Sequence, residues 1–226
     1  YTYSPSTDNM LEYVIGNDSS VVNEINLVVN NYANVVNIAG FYSDKNDRKC
    51  VGTVYYKLNT KTAEMEVKQV DLIDLSFSSR IAGTMLNEWT PVLSDLYIRK
   101  LVANSDGGCT IIAEKYSESK QAYTYTVNGF PQTNYRTIYN YDEIVVIAKN
   151  ADGTLRFRDF IKKNQTSMSD GGYYSSFVTL LANDKIGIIY NADVVNDGDV
   201  MLTTISNKGV FEQKVLIKSM SYYATI

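Results

Sequence analysis

EIVVIAKNADGTLRFRDFIKK, Glu143–Lys163, decides the fold. An apolar run, Ile144–Ala148, enters the polar turn Asn150-Ala151-Asp152-Gly153, and a more polar strand returns with Arg156, Arg158 and Lys162 at alternating places. Strands covered on both faces read as continuous apolar runs, whereas an edge strand with one wet face alternates. Gly153 stands where a hairpin turn needs positive φ. The same form occurs in VGTVYYKLNTKTAEMEVKQVDL from Val51 and in DVMLTTISNKGVFEQKVLIK from Asp199, where Gly209 takes the turn position.

Each of these hairpins follows another. NEINLVVNNYANVVNIAGFYSD precedes the first, YIRKLVANSDGGCTIIAEKYSE the second and SSFVTLLANDKIGIIYNAD the third. Each has a short strand, a tight turn and a very apolar second strand. The repeat is therefore four antiparallel strands, three inner and one outer. Four-stranded units that cannot bury their own faces read as β-propeller blades. A β-sandwich explains short strands equally well, but not a recurring four-strand unit with one turn signature. The expected fold is all-β and propeller-like, a single segment over residues 1–226. Its three visible blades are 21–73, 96–163 and 173–218, and residues 10–15 are the last strand of a preceding blade. Closed propellers have about four to eight blades, so the chain is expected to be a piece of a larger propeller. Ser221–Ile226 would begin a further strand. Helical periodicity is scarce, and the candidate helix is Ser78–Trp89, ended by Thr90-Pro91.

The segments GFYSDKNDRKCVGTVYYKLNTKT and NYDEIVVIAKNADGTLRFRDFIKKNQ, followed by DGGYYSSF at Asp170–Phe177, resemble a family of large, mostly uncharacterised β-propeller proteins from Bacteroidota. The resemblance covers residues 25–218 and is most specific over Asp106–Tyr190. It implies a propeller fold, a protein longer at both ends, and export to the periplasm, outer-membrane surface or extracellular space. The family has no agreed catalytic motif, so it hands over no active-site residues. The first blade departs from it in its Asn-rich turns.

Composition excludes several chemistries. The net charge is −4 and mixed in sign along the chain, which argues against nucleic acid as partner, since phosphate binding needs clustered Lys and Arg. No apolar run reaches the roughly 18 residues of a membrane span. Histidine is absent, and with it go Ser-His-Asp and Cys-His nucleophilic catalysis and His-ligated zinc. Cys50 and Cys109 are too few for a zinc site or a disulfide framework. They are expected unpaired, packing as small hydrophobes, with a single bridge as the alternative. No cofactor or metal is called for. The chain opens at Tyr1 rather than Met, so a mature or partial product is expected.

The stretch AYTYTVNGFPQTNYRTIYNY, Ala122–Tyr141, is the candidate contact surface. It falls between the second and third strands of the middle blade, where the other blades have short loops (Asp44–Lys49 and Asp193–Asp197). Its two strands are expected to run past the blade, turn at Asn128-Gly129 and return. Alternation puts Tyr123, Tyr125 and Val127 on one face of the first strand, and Tyr135, Thr137 and Tyr139 on one face of the return strand. Tyr123, Tyr125, Phe130, Tyr135 and Tyr139 are the protein-binding candidates, because a rigid ring with a polar tip is enriched at interfaces. The competing structural account is a hairpin folded down onto a neighbouring blade.

Facing carboxylates would be the remaining route to catalysis. Asp71/Asp74 and Asp142/Glu143 are available, but solvated loop charges account for them as well. The Asp-rich turns Asp44–Asp47 and Asn196–Asp199 lack the calcium-loop pattern and read as plain turns. Asn164 opens an N-x-T triplet, and Trp89 is expected in interblade packing. The expected function is a non-enzymatic binding or scaffolding module of an exported envelope protein, its partner another envelope protein. A glycan-binding or glycan-processing propeller is the alternative, and a plain spacer a third.

Overall fold

The computed structural model describes residues 2–4, 9–15, 20–44, 47–83, 93–182, 185–194 and 198–219. In chain order the elements are β1 (Thr2–Ser4), β2 (Asn9–Leu11), β3 (Ser20–Asn30), β4 (Val35–Asp44), β5 (Asp47–Asn59), β6 (Met65–Leu72), α1 (Leu75–Ala82), β7 (Leu96–Ala103) and β8 (Cys109–Val127). There follow β9 (Phe130–Lys149), β10 (Leu155–Ile161), β11 (Gln165–Met168), β12 (Phe177–Ala182), β13 (Lys185–Asn191), β14 (Val200–Ser206) and β15 (Phe211–Ile217). The fold is all-β, with three four-stranded antiparallel sheets resembling propeller blades: β3-β4-β5-β6, β7-β8-β9-β10 and β12-β13-β14-β15. β11 adds to the middle sheet alongside β9, and β1 and β2 form a separate pair.

Two compact units divide the chain, and the division falls inside the middle blade. The first comprises Tyr1–Ala113 and Val145–Asp159, the second Glu114–Ile144 and Phe160–Ile226.

In the first unit, one face of the β3–β6 sheet packs on the near half of the middle blade. Ala39, Phe41 and Tyr55 are buried on that sheet, and Ile111, Ile112 and Val145–Ala148 are buried on the middle blade. Several polar groups pair across the seam, as burial requires, although the buried Asn104 Nδ2 has no hydrogen-bond partner among the described residues. Tyr55 Oη donates to Asn37 Oδ1 at 2.8 Å, and Asn37 Nδ2 donates to Gly108 O at 3.0 Å. Asn30 Nδ2 reaches Asn104 O at 2.8 Å, and Lys57 Nζ reaches Ala151 O at 2.9 Å. Lys149, buried, forms an ion pair with Asp71. Gly108 is required by close approach, since a Cβ there would stand 2.2 Å from Lys149 O. The opposite face of the sheet carries a cluster of Tyr42, Val54 and Tyr56, with Ile15 and Val22 against it.

Three expectations change here. The helix begins at Leu75, not Ser78, because Asp74 accepts the Phe77 N–H at 2.7 Å as N-cap. It stops at Ala82, because Gly83 leaves the helix at φ 67; residues 84–92, with Trp89 and Pro91, lie outside the described residues. Residues 10–15 are strand only as far as Leu11, after which Ile15 packs on the tyrosine cluster as coil. In the first and third blades the opening strand is not covered, whereas Leu96, Ile98, Leu101 and Val102 of β7 are buried. β3 and β12 are sheet edges, and Val21, Ile25, Leu27, Val29, Val178 and Leu180 are exposed. Cys50 and Cys109 are free and buried.

In the second unit, Ile186, Ile188, Tyr190, Thr203 and Ile205 share the buried face of the β12–β15 sheet.

Candidate protein-contact surface

The second unit is built round a buried ion pair. Lys163 Nζ lies 2.9 Å from Glu114 Oε1, with both side chains wholly excluded from solvent. Lys163 directs its hydrogen bonds to Tyr141 O at 2.8 Å and Gln165 Oε1 at 2.9 Å. Gln165, itself buried, donates from Nε2 to Asn191 O at 2.6 Å. The second Glu114 oxygen accepts from Ser176 Oγ at 2.8 Å, and Gln165 Oε1 also accepts from Ser176 N at 2.7 Å. A buried charge is tolerable only when paired and hydrogen-bonded. One hub thus ties together the roots of β8 and β9, the start of β11, the 169–176 loop and the end of β13.

From that root β8 and β9 continue as a two-stranded arm. Asn128 and Gly129 close it with φ 51 and 83, the paired positive values of a type I′ hairpin turn. Cross-strand side-chain contacts point to one register down to the root. Val127 and Phe130 flank the turn, Arg136 Nε donates to Gln121 Oε1 at 2.7 Å, and Asn140 Nδ2 to Ser117 Oγ at 3.3 Å. At the root the Tyr116 and Tyr141 rings lie 4.7 Å apart. Each pair is equidistant from the turn. β11 covers only the root of β9, Gln165 facing Tyr141 and Met168 facing Ile138.

Every residue from Glu118 to Tyr135 is exposed, so the arm is not folded down onto a sheet. Tyr123 is 41% exposed, Tyr125 44%, Phe130 70% and Tyr135 66%, while Tyr139 is half-buried. The register separates these residues. Tyr123, Tyr125, Val127 and Phe130 lie on one face, with the two tyrosine rings 6.0 Å apart. Tyr135 and Tyr139 lie on the other, with Tyr116 and Tyr141. Burial beside Tyr141 and Glu118 holds the Tyr116 phenol above its ordinary value.

The 169–176 loop lies against that second face. Ser169 N donates to Thr137 O at 2.9 Å. A Cβ on Gly172 would fall 2.6 Å from the Tyr141 ring. Asp170 Oδ1 accepts the Gly172 N–H at 2.8 Å, and this bond, with help from the Ser167 hydroxyl, holds its carboxyl below the ordinary range. Ser176 sits at φ 70, a conformation that a non-glycine residue keeps only when held; its two hub bonds hold it. The loop presents Tyr173 and Tyr174, 81% and 66% exposed, edge to face at 5.0 Å.

The other candidates are engaged elsewhere or scattered. Asp71 pairs with Lys149, and Asp74 caps α1 and pairs with Arg158. Asp142 and Glu143 are consecutive on β9 and point to opposite faces. A cleft of about 200 Å³ in the first unit, lined by Thr53, Ile147, Lys149 and Arg158, has its charged groups paired with Asp71 and Asp74. Residues 45–46 and 195–197 of the Asp-rich turns lie outside the described residues; Asn164 is exposed.

The hub and the Tyr173–Tyr174 display escaped the sequence. Their signal was a lone carboxylate, Glu114, ending the apolar run Cys109–Ala113, and a lysine, Lys163, just past an edge strand. Neither protein-family models nor curated proteins gave a match to the chain.

Proposed function

We propose that the chain is a non-enzymatic protein-binding module of an exported bacterial envelope protein, a member of the Bacteroidota propeller family it resembles, and that the tyrosine arm is part of its contact surface. The supporting observation is an unbroken exposed run, Glu118–Tyr135, carrying aromatic residues on a ribbon whose root is fixed by a buried ion pair. Burying such rings on a partner contributes the anchor energy typical of interfaces, and a pre-ordered ribbon loses little entropy on binding. The engagement of Asp71, Asp74 and Glu114 in pairs and caps favours binding over carboxylate catalysis. The test is capture of an envelope-membrane protein by the wild-type chain and by a Tyr123→Ser, Tyr125→Ser, Tyr135→Ser, Tyr139→Ser variant. The partner is retained by the first and lost by the second. Equal retention removes the arm as the site.

A second function has its own support. The exposed Tyr173–Tyr174 pair on a locked loop suits stacking on a sugar ring. A glycan array, with Tyr173→Ser as control, tests it. Binding lost in that variant supports a glycan site, and silence leaves the protein-contact surface alone.

A further inference from the structure

The two long edges of the arm differ. In an antiparallel ladder, alternate residues turn their N–H and C=O away from the partner strand. Thr137 O accepts from Ser169 N, so Pro131, Thr133, Tyr135 and Thr137 are the outward-facing residues of β9. The β9 edge is filled by β11 and Ser169 at its root and blunted at its tip by Pro131, which has no N–H to offer. By that register, the outward-facing residues of β8 are Glu118, Lys120, Ala122, Thr124 and Thr126. Among the described residues β9 is the strand beside this stretch, and β7, the other neighbour of β8, turns into β8 at Asn104–Gly108, at the opposite end. The open edge is roughly 30 Å long at about 3.4 Å per residue. It holds neither proline nor glycine, so no residue in it blunts or kinks the edge.

We propose that this edge, Glu118–Thr126, receives an added β-strand from a partner polypeptide, an extended segment of net negative charge. The inference rests on the contact-arm function above and names the chemistry of its partner. A row of alternating N–H and C=O groups at strand spacing is satisfied by another extended main chain. The sheet already takes one such addition, β11 on the opposite edge. Charge selects the occupant. From Lys115 to Tyr139 three basic residues, Lys115, Lys120 and Arg136, stand against one acidic residue, Glu118, in a chain of net charge −4. An acidic strand complements that local excess, whereas the arm of a second copy repeats it. Alternation sets the partner's pattern, with apolar residues beside Tyr123, Tyr125 and Val127 and β-branched polar ones beside Thr124 and Thr126.

The probe is the capped peptide DTYTVTVTE, read by amide exchange of the intact chain and by titration. On saturation the outward amides of Lys120, Ala122 and Thr124 slow at least tenfold, and a peptide N-methylated on alternate residues does not bind. An Ala122→Pro, Thr124→Pro variant removes two outward donors and leaves the β8–β9 bonds in place, checked by protection of the Tyr123 and Tyr125 amides. It binds the peptide at least tenfold more weakly. Unchanged outward amides, or equal affinity of the proline variant, overturn the proposal. A concentration-dependent dimer in ultracentrifugation that the prolines abolish overturns the assigned occupant in favour of a second copy. Capture of the envelope partner separates the two levels. If it is lost on tyrosine replacement but kept by the proline variant, the contact arm stands and strand addition falls. If both variants keep it, the arm is not the site.

Discussion

Lys163 Nζ and Glu114 Oε1 stand 2.9 Å apart with no solvent on either side chain, and every segment that reaches the tyrosine surface is bonded to one of them or to Gln165. The pair is better understood as a device for position than as a source of net stability, because desolvating two charges offsets most of their attraction. Removing one partner is another matter. Lys163→Met strands a buried carboxylate and is expected to lower stability by about 3–5 kcal/mol. The double variant Lys163→Met, Glu114→Gln recovers most of the loss. Urea unfolding of the three proteins checks this, and a double variant no better than the single one refutes it.

The thiols give a second prediction. Burial pushes Cys50 and Cys109 each up to about 12. At pH 8 each then holds about three orders of magnitude less thiolate than an ordinary cysteine. Native protein should resist iodoacetamide, and both residues should label fully in denaturant. Rapid native labelling of Cys109 contradicts the packing described.

Much of this architecture was legible in the chain, for reasons of period and turn chemistry. Ile144–Ala148 read as a doubly covered strand and is buried throughout. Asn128-Gly129 read as a hairpin turn because few residue pairs accept two positive φ values in succession, and the arm follows. The helix start was not legible because Asp74 reads equally as a surface carboxylate, and only its bond to the Phe77 N–H makes it the cap. The face on which each tyrosine lies was not legible. Alternation orders residues within one strand, but only the register relates Tyr123 to Tyr135, and the turn type fixes that register. The hub was hidden for a similar reason, since Glu114, Lys163 and Ser176 meet only after three connections have closed.

The Tyr173–Tyr174 loop should respond to acid. Hydrogen bonding keeps the Asp170 carboxyl below its ordinary value of 3.8. A depressed folded-state value contributes stability that is fully present above the unfolded value and is lost as pH falls through the folded one. Exchange of the Gly172 amide, corrected for intrinsic rate, should therefore accelerate below about pH 4. Asp170→Asn should flatten that dependence. A wild-type profile unchanged down to pH 2 refutes the assignment.

Two neighbouring glycines offer a controlled comparison. Gly171 and Gly172 have φ 72 and 70, yet a Cβ on the first meets nothing within 4 Å and on the second meets the Tyr141 ring at 2.6 Å. Gly171→Ala should cost about 1–2 kcal/mol for the left-handed backbone alone. Gly172→Ala should add about 1–3 kcal/mol of overpacking and shift the Tyr141 ring resonances. Equal losses, with Tyr141 unmoved, contradict the contact.

The uninterrupted pairing of the arm limits how its length can change. Trimming one residue from each strand turns everything beyond the cut over, so Val127 and Phe130 move together to the opposite face. Two residues per strand must be gained or lost together for the tip to keep its orientation. Arms of related proteins should therefore differ in reach by multiples of about 7 Å, a quantised ruler written into the ladder itself.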